Sequence, residues 1–324
     1  MQSKDLEVAA IFCSDLHLSL NPPIYRSKEP DWFAAMSRPL CELRRLQIKH
    51  HCPVICCGDV FDKWKAEPEL INFAIAQLPK QFYTIAGQHD LPNHCVEDIH
   101  KSALSTLCLA GVACIFNTLN YYPFAPDFIL KSAHYGQKLI EASNHKESPI
   151  NIGVIHQYNW IPQHGHQKAK DKYKVTSRRK EFKKYDYVFC GDNHIPFYTP
   201  LKWKHHIRMF VNCGAMMIRK SDDKFTPTFW LLVSYNNKQG RTFRIVPYKI
   251  NIKHDVYWNN PKVKEKEQEP SIDDLAKFRQ ELEKLGESGQ DVVAGVKAYV
   301  AGLPNVSSRT VNFIEKVLYE CQNQ

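Results

Sequence analysis

The sequence predicts an α/β sandwich: two packed sheets flanked by helices, followed by a small C-terminal helical module. Three observations carry this. The first half alternates short apolar runs with segments of helical period, the pattern of βαβ units feeding a largely parallel sheet. The middle holds further apolar runs with fewer helices between them, which suits two packed sheets better than one open sheet. A polar, proline-bounded run then separates a tail of amphipathic spacing.

Taken in order, residues 8–13 (VAAIFC) read as a buried strand. Residues 32–48 place Phe33, Met36, Leu40, Leu43 and Leu46 or Gln47 along one helical side. Residues 53–57 (PVICC) form a second buried strand, and 69–78 a short helix with Pro68 suited to its first turn. Residues 82–86 are a third strand, 97–109 a helix and 112–116 a fourth strand. Further strands are expected at 150–155, 187–190, 209–213, 228–234 and 241–250. The first domain is thus residues 1–258, with a linker at 259–270 (NNPKVKEKEQEP) and a helical module at 271–324. In that module Ser271 caps a helix with Asp274 in the capping-box position, and Leu275, Phe278, Leu282 and Leu285 form its stripe. Two shorter helices follow, at 292–300 and 311–318, around a turn at Pro304.

Composition bounds the function classes. With 44% hydrophobic and 24% charged residues the chain can bury a sizeable core. Its net charge of +9 favours polyanionic partners without naming one. No stretch approaches the roughly 20 apolar residues of a membrane span, and the first residues lack a signal-peptide pattern. Eleven cysteines, odd in number and without a C-x-x-C pair, form no disulfide framework, and Cys13, Cys57, Cys190 and Cys213, in or beside apolar runs, read as buried reduced thiols, so a cytoplasmic, reducing location is expected and no membrane contact.

The chemistry lies in five islands, each closing a strand-like run: Asp15-Leu16-His17, residues 58–62 (GDVFD), residues 87–90 (GQHD), His156-Gln157 and residues 191–194 (GDNH). In α/β folds ligands gather at the carboxyl ends of strands, so islands far apart in sequence converge. Two-metal hydrolysis needs a bridging carboxylate, flanking His, Asp or Asn ligands and open positions for water and phosphate oxygen. Any one island alone is an ordinary loop; the ordered set points to a metal site.

The order D-x-H, G-D-x-x-D, G-x-H-D, H and G-x-x-H resembles the signature of calcineurin-like metallophosphoesterases over roughly residues 8–250. The resemblance implies the two-sheet metallophosphoesterase sandwich and two divalent metal ions. By position, Asp15, His17, Asp59 and His194 would hold one metal, and Asp59 would bridge to a second held also by Gln88, His156 and Asp192. His89 would contact the scissile phosphate and protonate the leaving oxygen, Asp90 would orient His89, and Asp62 would be an auxiliary hydrogen-bonding carboxylate. Two positions depart from the family pattern. Gln88 replaces Asn and carries its amide one methylene, roughly 1.5 Å, further out. Asp192 replaces the first His of G-H-x-H, adding a harder, negative ligand. Manganese is the expected metal.

For substrate, the H-Q at His156-Gln157 and the later order of elements resemble SbcD-like DNA double-strand-break repair nucleases. The run at 168–184 (KAKDKYKVTSRRKEFKK) supplies Lys168, Lys170, Lys172, Lys174, Arg178, Arg179, Lys180, Lys183 and Lys184 as candidate DNA contacts, with Tyr173 and Phe182 interleaved. A solvated helix face would explain the same run. Lys202, Lys204 and Arg208 add charge but fit a hairpin tip, and His164 and His166 read as loop histidines. Trp64 and Lys65 face either substrate or the protein. The resemblance further implies an SbcC-like coiled-coil ATPase docking on the helical tail, and a homodimer is the other assembly to test. A small-molecule phosphodiesterase or phosphatase, or a non-catalytic scaffold, remains the competing reading.

Overall fold

The computed structural model describes residues 6–117, 122–124, 128–140, 150–165, 169–203, 206–237 and 240–258. The linker expected at 259–270, the module expected at 271–324, and Lys168, His166 and Lys204 lie outside them. The strands are β1 (Glu7–Cys13), β2 (Val54–Cys56), β3 (Phe82–Thr84), β4 (Ala113–Ile115), β5 (Tyr122–Phe124), β6 (Phe128–Ala133), β7 (Ile150–His156), β8 (Tyr187–Gly191), β9 (Phe197–Trp203), β10 (His206–Asn212), β11 (Thr228–Asn237) and β12 (Gly240–Lys249). The α-helices are α1 (Trp32–His50), α2 (Pro68–Gln77) and α3 (Ala103–Leu109). One sheet runs β12-β11-β1-β2-β3-β4 and the other β5-β6-β7-β8-β10-β9. Each has a parallel centre, β1-β2-β3-β4 or β6-β7-β8-β10, with antiparallel strands outside it.

Period-two alternation explains the layers. In β2, Val54 and Cys56 pack beneath the helices, while Ile55 and the following Cys57 face the second sheet. β1 does the same with Ile11 and Cys13 outward and Phe12 inward. A register shift between Val8 and Ala10 lets both Ala9 and Ala10 turn inward, as one inserted residue at a bulge does. Phe12 and Phe189 stack across the interface at 3.5 Å between ring centres, at its middle.

Helix α1 starts where the Asp31 side chain accepts the Ala34 N–H at 2.9 Å, and it ends at His51 in the left-handed region. The helix expected over 97–109 is two pieces, a 3-10 segment Val96–Lys101 and then α3. Ser102 separates them with extended backbone, and its hydroxyl accepts the Ser105 N–H. Strands β5, β6 and β9 were not expected. Lys131 interrupts the apolar run of β6, and Pro200 that of β9, which as an edge strand tolerates a missing N–H. Lys202 and Arg208 of the charged hairpin suggested around 202–208 lie on β9 and β10, which pair antiparallel.

The outer helices expected on both sheets are described only on the first. The second sheet's outer face is covered by the segment that follows β7, whose Val175, Phe182 and Tyr185 pack on Ile155, Val188 and Phe210. This segment turns through 3-10 pieces Asp171–Tyr173 and Val175–Arg178, so the basic run is a set of packed turns rather than a solvated α-helix face.

One buried ion cluster ties the end of the first sheet to the loop before β11. Fully buried Arg26 donates to Glu29 at 2.5 Å and to the Ile218 carbonyl at 3.1 Å, and sits 3.1 Å from Asp255. Arg38 bridges the same two carboxylates at 2.8 and 3.0 Å from a half-exposed position. Breaking a buried pair leaves a charge without compensation, so Arg26→Met should destabilise the protein by roughly 3–5 kcal/mol. Arg38→Met, whose water access softens the loss, should shift the urea midpoint less; equal shifts would contradict the role given to Arg26.

Candidate metal centre

All five islands reach one edge of the sandwich, at the carboxyl ends of parallel strands. Asp15 and His17 follow β1, Asp59 and Asp62 follow β2, Gln88 and His89 follow β3, His156 ends β7, and Asp192 and His194 follow β8. Four of these adopt left-handed backbone: Asp15 (φ 50°), His17 (45°), Asp59 (53°) and Asp192 (81°). Such a conformation costs an L-residue of order 1–2 kcal/mol. Cross-strand bonds hold it, with Asp15 N–H donating to Gly58 O and His17 N–H to Asp59 O, both at 3.0 Å. The Asp192 N–H reaches both carboxylate oxygens of Asp15 at 3.2 Å.

The side chains converge. His17 Nε2 lies 3.8 Å from Asp59 Oδ2, 3.9 Å from Asp15 Oδ1 and 3.1 Å from His194 Nε2. His156 Nε2 lies 3.4 Å from Asp59 Oδ2. Asp15, His17 and His194 bring ligand atoms within 4.8 Å of one another, and so do Asp15, Asp59 and His156, and His17, Asp59 and His89. Asp59 Oδ2, His156 Nε2 and Gln88 Oε1 are buried without a hydrogen-bond partner. Orphaned acceptors facing inward among carboxylates and imidazoles fit divalent cations. Asp192 joins through Gln88, whose amide Nε2 donates to its Oδ1 at 2.9 Å.

Two glycines make room for these ligands. A Cβ on Gly87 would stand 2.0 Å from Asp59 Oδ1, and one on Gly191 would stand 2.1 Å from Ser14 Oγ and 2.8 Å from His156 Nδ1. His156 is fixed from behind by an Nδ1 contact of 2.5 Å to the Cys57 carbonyl, which leaves Nε2 for the centre.

Burial dominates the acid–base behaviour without a cation. It pushes Asp15 up to about 7, helped by the charges of Asp59 and Asp192 and opposed by His156. Burial pushes His17 and His194 down, towards the neutral imidazole a metal needs. Burial also opposes charge on His156 and Asp59, but their mutual attraction prevails, raising His156 and lowering Asp59.

The remaining site residues surround this core. Ring-exposed His89 gives its backbone N–H to Asp59 Oδ1 and places Nδ1 2.9 Å from the Asp62 carbonyl, with Nε2 4.0 Å from Asp59 Oδ2. Asp90 corrects the expectation that it touches the His89 ring. It is fully buried and accepts the N–H groups of Val60, Phe61 and Gly87, so it shapes His89 only through the backbone. Asp62 Oδ1 lies 3.6 Å from His17 Nδ1 and accepts from Arg219 at 2.7 Å. Arg219, which the sequence reading missed, also donates to the His17 carbonyl at 2.7 Å. Its one sequence signal is a lone arginine shortly after the strand that ends at Asn212.

Arg178 is also corrected. It turns inward, donating to Gln157 at 2.6 Å, Asn159 at 2.7 Å and Glu181, because carboxamides and a carboxylate satisfy its fork there. Gln157 therefore serves packing, with its amide on the Gln137 carbonyl. Lys170, Lys172, Arg179 and Lys180 are exposed, and Lys174, Lys183 and Lys184 are half-buried. His164 stacks on Phe197 and takes no part in the cluster.

Gly87→Ala should fold yet lose bound metal, measured by metal content after dialysis; a fully loaded variant would contradict the close approach to Asp59. In metal-free protein the contribution of Asp15 and Asp90 to stability should fall as pH rises from about 4 to 7, because burial raises both carboxyls to about 7 and they bind protons more tightly folded than unfolded, while His17 and His194, held down by burial, act in the opposite sense. Melted in chelator, Asp90→Asn should therefore lose stability less steeply with rising pH than the wild type; an unchanged slope would contradict this role.

Residues 10–196 match the calcineurin-like phosphoesterase family model. No curated protein sequence matches the chain. Among solved structures, sulfate thiohydrolase SoxB from Thermus thermophilus, in complex with glycerol, is similar at 10% identity and a TM-score of 0.43, covering 76% of this chain and 57% of that one. The chain thus spans little more than half the length of SoxB. A Vps29 single mutant from Entamoeba histolytica is similar at 14% identity and 0.35, covering 75% of this chain and 99% of that one. Vps29 from Cryptosporidium parvum is similar at 13% and 0.31, with 76% and 98% covered. With its family match spanning more than half the sequence, over the strands that present the cluster, the chain belongs to the calcineurin-like phosphoesterases.

Proposed function

We propose that this chain is a manganese-favouring phosphodiesterase that cuts DNA, a nuclease of SbcD-like type. The feature that favours this substrate is cationic charge on the segments that follow Asp62 and His156. Past Asp62, exposed Lys63 and Lys65 line a cavity of about 130 Å³ that the carboxylates of Asp62 and Glu67 also line. Past His156, exposed Lys170, Lys172, Arg179 and Lys180 lie along the segment bonded to Gln157. A polynucleotide carries phosphates in both directions from the scissile bond, and a small phosphomonoester does not.

Asp15, His17, Asp59 and His194 would hold one ion, and Asp59, Gln88, His156 and Asp192 the other. When bound, such a pair acidifies a water and neutralises charge on the phosphoryl oxygens. His89 has the placement of a general acid. With Nδ1–H on the Asp62 carbonyl, its Nε2 faces the centre on an exposed ring, and the doubly protonated imidazolium would pass the Nε2 proton to the departing oxygen, leaving the neutral Nδ1–H ring. Arg219 and Asp62 brace His17 from behind. Residues 271–324 are the proposed attachment for an SbcC-like ATPase, a proposal that rests on sequence alone.

The test assays labelled duplex and single-stranded DNA beside bis-p-nitrophenyl phosphate, with manganese. DNA cleavage should vanish in Asp59→Ala. His89→Ala should slow turnover by about 10²–10⁴-fold with metal content unchanged. Hydrolysis of the small diester alone would overturn the DNA assignment, and loss of metal from His89→Ala would make that residue a ligand.

A further inference from the structure

Gln88 and Asp192, the two residues unusual for the family, are hydrogen-bonded to each other. A carboxylate can only accept, so the 2.9 Å contact fixes which way the Gln88 amide faces: its NH2 points to Asp192 Oδ1. The carbonyl Oε1 is thereby turned away and left buried without a partner. The extra methylene of Gln88 and the carboxylate at 192 therefore work together, one supplying reach and the other orientation. The two halves of the centre also differ in donor type. Asp15, His17, Asp59 and His194 offer two imidazole nitrogens and two carboxylates, whereas Asp59, His156 and Gln88, with Asp192 bonded to Gln88, offer one nitrogen among oxygens.

We propose that Gln88 and Asp192 form one metal-selecting unit, which makes the second ion position harder than the first and sorts two different ions within the centre. The nitrogen-rich position favours zinc or ferrous iron. The oxygen-rich position favours manganese or magnesium, because harder oxygen donors suit those ions and imidazole suits zinc and iron. This rests on the two-ion reading above. Neither residue acts alone: shortening Gln88 releases Asp192, and replacing Asp192 by histidine removes the acceptor-only carboxylate that orients Gln88.

The experiment loads metal-stripped full-length chain with zinc and manganese together and in competition. Bound ions are counted by elemental analysis, and manganese affinity at the second position is read by electron paramagnetic resonance. Gln88→Asn should weaken manganese there by about tenfold to a hundredfold, and Asp192→His should raise zinc over manganese by a similar factor. The double variant Gln88→Asn/Asp192→His should recover tight binding of two zinc ions, so the two effects are not additive. Asp192→Asn, equal in shape, should lose manganese preference while keeping the first zinc, which reports folding. Additive effects, or a zinc-to-manganese preference unchanged by Asp192→His and Asp192→Asn, would overturn the selecting unit while leaving two ions bound. Fewer than two ions in the wild type under every condition would instead overturn the two-ion reading.

Discussion

The buried charge of Asp59 is the constraint on which the rest of the site depends. Its carboxylate has no exposed surface, yet the Asp59–His156 attraction keeps it ionised. One oxygen takes the His89 N–H, and the other is left for cationic partners. A charge in that position is tolerable only if neighbours compensate it. That requirement accounts for His17, His156 and His89 around it and for the absence of a side chain at Gly87. Arg219 extends the same logic outward, satisfying Asp62 and the carbonyl of His17.

Strain is distributed to match. The left-handed backbone at Asp15, His17, Asp59 and Asp192 is held from strongly bonded strand ends, and the sandwich interior behind them is closely packed around Phe12 and Phe189. Rigid layers thus carry conformations that a free loop would relax. Asn193 and Asn212 reinforce the last island. Asn193 donates to the Asn159 and His164 carbonyls, and Asn212 to those of Asn193 and Ile195, fixing the turn that presents Asp192 and His194.

The islands were legible in sequence because a ligand at a strand end needs only a short apolar run before it, and one-dimensional pattern reports that well. The parallel sense of β1 to β4 followed from the same alternation, though not their order in the sheet. What stayed hidden depends on partners distant in sequence. Arg219 looks like any surface arginine until it meets Asp62, 157 residues away. Arg178 looks like a DNA contact until Gln157 and Asn159 turn it inward. The resemblance implied that Asp90 orients the His89 ring, but three backbone N–H groups claim its carboxylate. Ser102 split an apparently continuous helix because its capping hydroxyl starts a new one.

The bond from the Asp192 N–H to the Asp15 carboxylate spans 177 residues. During synthesis, therefore, the first two islands exist long before the last. Strand β1 also waits for β11, its antiparallel neighbour, before its sheet edge is closed. Chain topology thus places completion of the centre near the end of translation of this domain. A truncated product ending before His194 carries aspartates and histidines but no complete site, so release of a prematurely terminated chain does not release the full set of ligands.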